Sequence, residues 1–234
     1  MNTSNTTVEY LKQEKFLVAV DCIIFGFDSE NIKLLLFKRR VEPLKGALSL
    51  IGSFIKNDLN LNDSAKMVLE ESTGLKNIFL KELRTYSDIT RDPGNRVISV
   101  AHYALIRINE LDIENVEEHD AHWYDFNDIP DLIIDHKQMV DDAINRLRDE
   151  ARREPICFNL LPKEFTIPQL QAIYECFYQK KLDSRNFRKK IVSFDILNKT
   201  TRKDKTSSKK GAFLYVFNKR KFKTFIAKGN RFQL

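Results

Sequence analysis

The sequence predicts an α+β protein in two parts, a strand-rich part followed by a small helical part that ends in a two-stranded ribbon. Runs of β-branched and aromatic residues recur over residues 16–126, as they do in strands. Helical spacing of apolar residues then appears at residues 166–178 and 184–194. The net charge changes sign between the two parts. A chain of 234 residues is long enough for one large or two modest domains.

The first part begins with a predicted hairpin. Its strands read FLVAVDCIIFGF and IKLLLF, with a turn at residues 28–31. Asn62 or Asp63 can cap a helix that stops at Gly74, because glycine readily accepts the left-handed conformation that ends a helix. A second helix covers residues 139–153. The predicted strands are residues 16–27, 32–37, 49–55, 78–87, 96–108 and 121–126.

The second part has the order helix, helix and ribbon. Thr166 and Asp183 are the predicted N-caps of its two helices. A strand near residues 196–199, a basic turn and a strand at residues 212–217 form the ribbon. This order is typical of a winged helix-turn-helix, whose second helix enters the major groove of DNA.

The charge is divided sharply along the chain. Residues 151–234 carry 21 Lys and Arg against 6 Asp and Glu, a net charge of +15, and residues 1–150 have a net charge of −9. The basic part therefore suits a polyanion, and we predict a double-stranded DNA operator as its partner. A solvated basic face is the alternative. The predicted DNA-binding residues are Arg185, Asn186, Arg188, Lys189 and Lys190 on the second helix, and Lys209 and Lys210 in the wing, with Arg202, Lys203 and Lys205 as further phosphate contacts.

Residues 52–75 read GSFIKNDLNLNDSAKMVLEESTGL and resemble a Nudix box, G-x5-E-x7-R-E-U-x-E-E-x-G-U, where U is a bulky aliphatic residue. Aligned from Ser53, the closing positions fit, because Gly74 and Leu75 stand where the motif has G and U. The functional positions of the motif hold Leu59, Met67, Val68, Glu71 and Ser72. An ordinary loop and amphipathic helix is the alternative interpretation.

The Nudix resemblance implies three carboxylates at i, i+3 and i+4, on one helical face that can hold Mg²⁺. On that face this chain keeps only Glu71. One carboxylate is a poor Mg²⁺ site, so we predict no catalytic residues, no metal ligands and no cofactor.

Three further segments carry a wider resemblance: TRDPGNRVISVAHYALI, FNLLPKEFTIPQLQAIYECFYQ and DSRNFRKKI. With them the chain resembles the Nudix-related transcriptional regulators of the NrtR and AraR type, most of all the arabinose-responsive AraR type. Residues 1–15, which precede the resemblance, are predicted to be a flexible leader. The resemblance implies a Nudix α/β/α sandwich at residues 16–153 and a winged-helix DNA-binding domain at residues 154–234.

The same resemblance implies a sugar-responsive transcriptional regulator, a repressor and a homodimer, whose inactive Nudix domain binds a pentose such as L-arabinose. Two alternatives stay open at this point. One is an active hydrolase of ADP-ribose-type nucleoside diphosphates, and the other is a regulator that binds ADP-ribose without cleaving it.

The Nudix resemblance places the effector on the sheet beside the box loop. Charged side chains there can engage hydroxyl groups, and an aromatic side chain can cover a sugar face. The predicted effector-binding residues are Asp21, Lys38, Arg40, Glu42, Asp88, Arg91 and Tyr103. Asp21 could instead face solvent from an edge strand, Arg91 could pair with Asp92 inside its loop, and residues 38–42 could be only a charged loop.

The sequence also predicts the compartment. No apolar run approaches the roughly 18 residues of a transmembrane helix, and residues 1–15 lack the apolar core of a signal peptide. Cys22, Cys157 and Cys176 are odd in number and show no metal-ligand spacing. We therefore expect a cytoplasmic protein with reduced thiols and no membrane partner.

Overall fold

The computed structural model describes residue 9, residues 11–205 and residues 211–234. Within these residues, seven strands form one sheet in the first part of the chain. Strand β1 lies at its centre, parallel to β6 along its whole length and antiparallel to β2 and β4. The strands are β1 (Leu17–Phe27), β2 (Ile32–Lys38), β3 (Leu48–Ser49), β4 (Ile51–Phe54), β5 (Lys81–Tyr86), β6 (Val97–Arg107) and β7 (Ala121–Asp125).

Helices cover both faces of this sheet. They are α1 (Leu61–Thr73), α2 (Glu110–Glu118) and α3 (His136–Arg153). Side chains alternate along a strand, so Val20 and Cys22 of β1 pack in the core against α1, while Ile23 and Phe25 pack in the core against α3. The predicted α/β/α sandwich is confirmed.

The helix ends differ from the prediction in detail. Helix α1 is capped by Asn60, whose side chain accepts a hydrogen bond from the Asp63 amide, and not by Asn62 or Asp63. It ends at Gly74, with φ 70°, as predicted. Helix α3 begins three residues earlier than predicted, and α2 was not predicted.

The second part is the predicted winged helix-turn-helix. Thr166 and Asp183 cap its two helices through the amides of Gln169 and Asn186. Strand β9 is longer than predicted, and the last helix was not predicted. The elements are β8 (Phe165–Thr166), α4 (Ile167–Tyr178), α5 (Ser184–Ser193), β9 (Leu197–Asp204), β10 (Ala212–Phe217) and α6 (Lys219–Ala227).

The two parts share one hydrophobic core, because side chains of α3 and α4 belong to the same buried cluster. Polar contacts join them as well. Arg148 Nε donates to the carbonyl of Phe177 at 2.7 Å, and Cys176 Sγ lies 3.2 Å from the carbonyl of Glu30. The domain boundaries given above stay predictions, and most of the predicted leader lies outside the described residues. Among the residues described, no helix is long and apolar enough to cross a membrane.

Candidate functional site

A cavity of about 460 Å³ opens beside β4, on the face of the sheet that α3 covers. Its floor is formed by β1, β4 and the start of α3, and its rim by the segment that follows β2. The polar side chains that line it are Asp21, Arg39, Arg40, Glu42, Ser49, Ser53, Arg91, Asp92 and His136. Its size is within the range of small-molecule sites in proteins.

Asp21 lies on the floor of the cavity and is only 7% exposed. Its Oδ2 accepts a hydrogen bond of 2.5 Å from the Ser99 hydroxyl on β6. Gly52 of β4 is its partner across the strand pair. A Cβ at Gly52 would lie 2.1 Å from Oδ1 of Asp21 and 2.9 Å from the carbonyl oxygen of Val20. Only glycine therefore leaves room for the buried carboxylate.

This close approach gives a first testable prediction. Gly52→Ala is expected to lower the free energy of unfolding by about 1–3 kcal/mol, because the added methyl group would displace the Asp21 side chain and the backbone at Val20. Urea unfolding measures the change. Ser53→Ala, at the exposed neighbouring position of β4, is the control and should change stability by less than about 0.5 kcal/mol. An equal effect of both substitutions would contradict the packing argument.

Arg91 carries a buried positive charge beside Asp21. Its side chain is 3% exposed and forms two hydrogen bonds with Asp135, from Nε at 2.9 Å and from Nη2 at 2.8 Å. Its Nη2 also lies 3.8 Å from Oδ2 of Asp21. Burial lowers the pKa of Arg91, but the hydrogen bonds with Asp135 and the charge of Asp21 outweigh it and raise the pKa overall. The guanidinium is therefore a fixed positive charge at the cavity.

His136 completes the floor. The Leu50 amide donates to its Nδ1 at 3.1 Å, which places the proton of a neutral ring on Nε2, 3.8 Å from Oδ1 of Asp21. Burial lowers the pKa of His136, although the charges of Asp21 and Asp135 oppose this. The ring is therefore neutral near pH 7, and the floor combines the Asp21 carboxylate, the Arg91 guanidinium and a neutral imidazole, with Asp135 behind Arg91.

The rim carries more cations and an aromatic ring. Arg39 Nε donates to the carbonyls of Val41 and Pro43, at 3.1 Å and 2.6 Å, and this closes the rim segment on itself. Arg40 Nη2 donates to the carbonyl of His119 at 2.7 Å. Phe54 stands at the mouth with 49% of its surface exposed. The rim can therefore offer positive charge and a flat apolar face to a ligand.

The structure brings together four of the seven predicted effector-binding residues, Asp21, Arg40, Glu42 and Arg91. Asp21 is buried on a central strand, so the alternative of a solvent-facing edge position is wrong. Arg91 pairs with Asp135 instead of Asp92.

The other three predicted residues lie outside the cavity. Lys38 is exposed at the end of β2, and Asp88 accepts hydrogen bonds from the amide and hydroxyl of Thr90 within its own turn. Tyr103 donates to Oε1 of Glu150 at 2.6 Å. The cavity residues that the sequence pattern did not predict include Arg39, Phe54, Asp92 and His136, and Asp135 behind Arg91 was not predicted either.

The region of the Nudix box forms no metal site. Val68, at a carboxylate position of the motif, is 3% exposed in the core against the sheet, and Glu71 is exposed. No group of three or more His, Cys, Asp or Glu residues in the described ranges could hold a metal ion. The residues present here do not fit the Mg²⁺ that a Nudix hydrolase would need.

A second candidate site is the basic surface of the winged helix. Phe187 and Ile191 bury one face of α5, and Arg185, Asn186, Arg188, Lys189 and Lys190 are exposed around the remainder. On the ribbon, Lys199 Nζ lies 3.5 Å from the ring centroid of Phe213, and Arg202 pairs with Glu164. Lys209 and Lys210 lie outside the described residues.

Known proteins agree with this architecture. Residues 157–217 match the family described as the NrtR DNA-binding winged helix domain. The ADPR responsive transcriptional repressor NtrR of Acinetobacter baylyi is 28% identical over 205 residues, 86% of this chain and 82% of that protein. An ADP-ribose pyrophosphatase of Methanocaldococcus jannaschii is 33% identical over 125 residues, 53% of this chain and 71% of the enzyme.

Solved structures extend the match to both parts. Shewanella oneidensis NrtR complexed with a 27mer DNA aligns with a TM-score of 0.74 and 25% identity, over 92% of this chain and 97% of that one. The NUDIX domain of the same protein complexed with ADP ribose aligns with a TM-score of 0.54 and 26% identity, over 63% and 99%.

The fold and the matches together define a Nudix domain followed by a winged-helix domain. The chain belongs to the Nudix family, and its residues 157–217 match the NrtR DNA-binding winged helix domain. The prediction of a pentose effector such as L-arabinose is wrong, because the regulators that this chain resembles respond to or bind ADP-ribose. The predicted likeness to the AraR type is not supported by these matches.

Proposed function

We propose that this protein is an ADP-ribose-responsive transcriptional repressor that binds ADP-ribose in the cavity beside β4 and does not hydrolyse it. The Acinetobacter baylyi repressor and the Shewanella oneidensis complexes with ADP ribose and with DNA support this proposal. The predicted homodimer stays a prediction.

The chemistry of the cavity carries the proposal. ADP-ribose combines a flat base, a diphosphate and two riboses. Phe54 offers a face for stacking the base, and Arg39 and Arg40 supply positive charge for the diphosphate. The buried carboxylate of Asp21 can accept from ribose hydroxyls. A neutral pentose has no anionic group to offer to the cations of this rim.

Binding without turnover follows from the box. Hydrolysis in this family needs clustered carboxylates to hold Mg²⁺ against the diphosphate. The described residues provide no such cluster, and Val68 is buried where one carboxylate would stand. A ligand at this site would therefore stay intact and act as a signal.

Helix α3 can carry that signal to the winged helix. Its first residue, His136, lines the cavity, and Asp135 directly before it holds Arg91. Its 18 residues extend over about 27 Å, and Arg148 near its far end bonds to the last turn of α4. A shift at the cavity can thus move the DNA-binding part, and a typical coupling of about 1–3 kcal/mol would change DNA affinity about 5–150-fold.

The test is a thermal-shift and DNA-release experiment. ADP-ribose is expected to raise Tm by mass action and to weaken the complex with a duplex that the protein selects from a random pool. L-Arabinose and ribose 5-phosphate are the controls and should change neither quantity. If ADP-ribose leaves both Tm and DNA affinity unchanged, the proposed function is wrong.

The resemblance to the Methanocaldococcus jannaschii pyrophosphatase favours a second function, hydrolysis of ADP-ribose. Incubation with ADP-ribose and Mg²⁺, followed by chromatography for AMP, separates the two. We expect no AMP above that of a protein-free sample. Release of AMP that Glu71→Gln abolishes would identify an enzyme instead.

A further inference from the structure

A basic cleft lies where α3 meets the helices of the winged helix. It has a volume of about 1140 Å³ and opens between α3, the turn after α4 and one flank of α5. Five cationic side chains line it: Arg148, Arg152, Arg153, Lys180 and Lys190. The one carboxylate side chain of its lining, Asp183, already accepts the Asn186 amide at 2.7 Å as a helix cap. The cleft therefore has a net positive charge.

The cations contributed by α3 differ in their availability. Arg148 is engaged with the carbonyl of Phe177 and the side chain of Asn145. Arg152 lies 3.6 Å from Asp149, but both side chains are about 60% exposed, so this ion pair is weak. No salt bridge involves Arg153 within the described ranges, and its side chain is exposed. Arg152 and Arg153 are thus available to an external anion.

The position of the cleft indicates which anion it takes. A helix in the major groove lies between two phosphate backbones about 12 Å apart. One flank of α5 faces the ribbon, where Arg188, Lys199 and Tyr215 line a groove. The opposite flank, with Asn186 and Lys190, faces the cleft. Each flank of α5 therefore presents cations, as two neighbouring backbones require.

We infer that this cleft binds the sugar-phosphate backbone of duplex DNA, and that Arg152 and Arg153 bring the last turn of the Nudix domain into direct contact with the duplex. The inference rests on the proposed function, since it requires DNA as the partner. It also gives α3 two roles, because its first turn lines the effector cavity and its last turn holds the DNA. Movement of one helix would then change DNA contacts directly.

The experiment uses the full chain with Arg152→Gln and Arg153→Gln combined. Kd is measured over a salt series for two labelled duplexes, one selected by the protein from a random pool and one of random sequence. Each lost phosphate contact should reduce the magnitude of the slope of log Kd against log salt concentration by about 0.9. The slope of the double variant should therefore be smaller in magnitude by about 2. The affinity for both duplexes should fall by the same factor, because phosphate contacts carry no sequence information.

Lys137→Gln with Arg146→Gln is the matched control, since it removes the same charge from exposed positions of the same helix. Its slope should equal that of the unchanged protein. In Arg153→Gln alone, the magnitude of the salt slope should fall by about 0.9. This variant leaves the contact of Arg152 with the Tyr178 ring in place, so its effect reports the lost DNA contact alone. The rise of Tm with ADP-ribose should be the same in all variants.

Two outcomes would overturn the inference and leave the proposed function standing. One is a salt slope that is unchanged in the double variant, and the other is a fall in the slope that is as large in the control as in the double variant. Loss of the ADP-ribose response with an unchanged slope would assign the cleft to a small anion instead. If the unchanged protein binds neither duplex, the proposed function and this inference fail together.

Discussion

Asp135→Ala is expected to lower the free energy of unfolding by about 3 kcal/mol, because it leaves the buried guanidinium of Arg91 without its main partner. Both hydrogen bonds between the two side chains are lost, and the nearest remaining carboxylate oxygen, on Asp21, lies 3.8 Å away. Loss of a helix cap does not explain the effect, since the Asp135 side chain forms no capping hydrogen bond. Urea unfolding, with a lower midpoint and an unchanged slope, measures it.

Asp141→Ala provides the matched control for this prediction. It is the same substitution on the same helix, but Asp141 pairs with Lys137 on the surface, where both side chains are more than half exposed. Its cost should be below about 1 kcal/mol. The combined variant Arg91→Met, Asp135→Leu should be more stable than Asp135→Ala alone, because the unpaired guanidinium is removed while the Asp21 carboxylate keeps its hydrogen bond from Ser99. A combined variant as unstable as Asp135→Ala would show that the buried charge is not the cause.

Local signals explain which parts of the fold could be predicted from the sequence. Thr166 and Asp183 cap their helices through amides three residues ahead, so a few neighbouring residues decide the outcome. The last helix, α6, is short and basic, and it is held by Phe222 and Phe225, which pack on the distant core. Its existence depends on tertiary contacts, so no local pattern in the sequence predicts it.

The cavity shows the same division between local and distant signals. Asp21 could be chosen because it interrupts an apolar strand. Asp135 and His136 could not, since their roles arise only when the start of α3 meets β1 and Arg91 in space. Tyr103 was chosen for its aromatic ring, but its hydroxyl is engaged by Glu150 from α3. The sequence pattern identified Asp21 and Arg91 but not Asp135 and His136, which contact them.

The exposed face of α5, opposite the buried Phe187 and Ile191, is expected to carry most of the sequence-specific DNA affinity. Arg185 and Lys189 are four residues apart and lie opposite the buried Phe187 and Ile191, so both point away from the core. The double variant Arg185→Ala, Lys189→Ala should lose about 1–3 kcal/mol of DNA-binding free energy for each of the two side chains that contacts a base. Kd measured by fluorescence anisotropy on selected and random duplexes quantifies the loss.

The comparison of the two duplexes decides what these residues contact. If the two side chains contact bases, the variant should lose more affinity for the selected duplex than for the random one. If they contact phosphates, it should lose the same affinity for both. Lys219→Ala with Lys223→Ala on α6 removes the same charge at the same spacing from exposed positions of the same domain. Its effect should be small and equal on the two duplexes, because charge alone acts without regard to sequence. If the double variant on α6 and the double variant on α5 lose the same affinity for both duplexes, overall charge accounts for binding, and α5 does not read the operator.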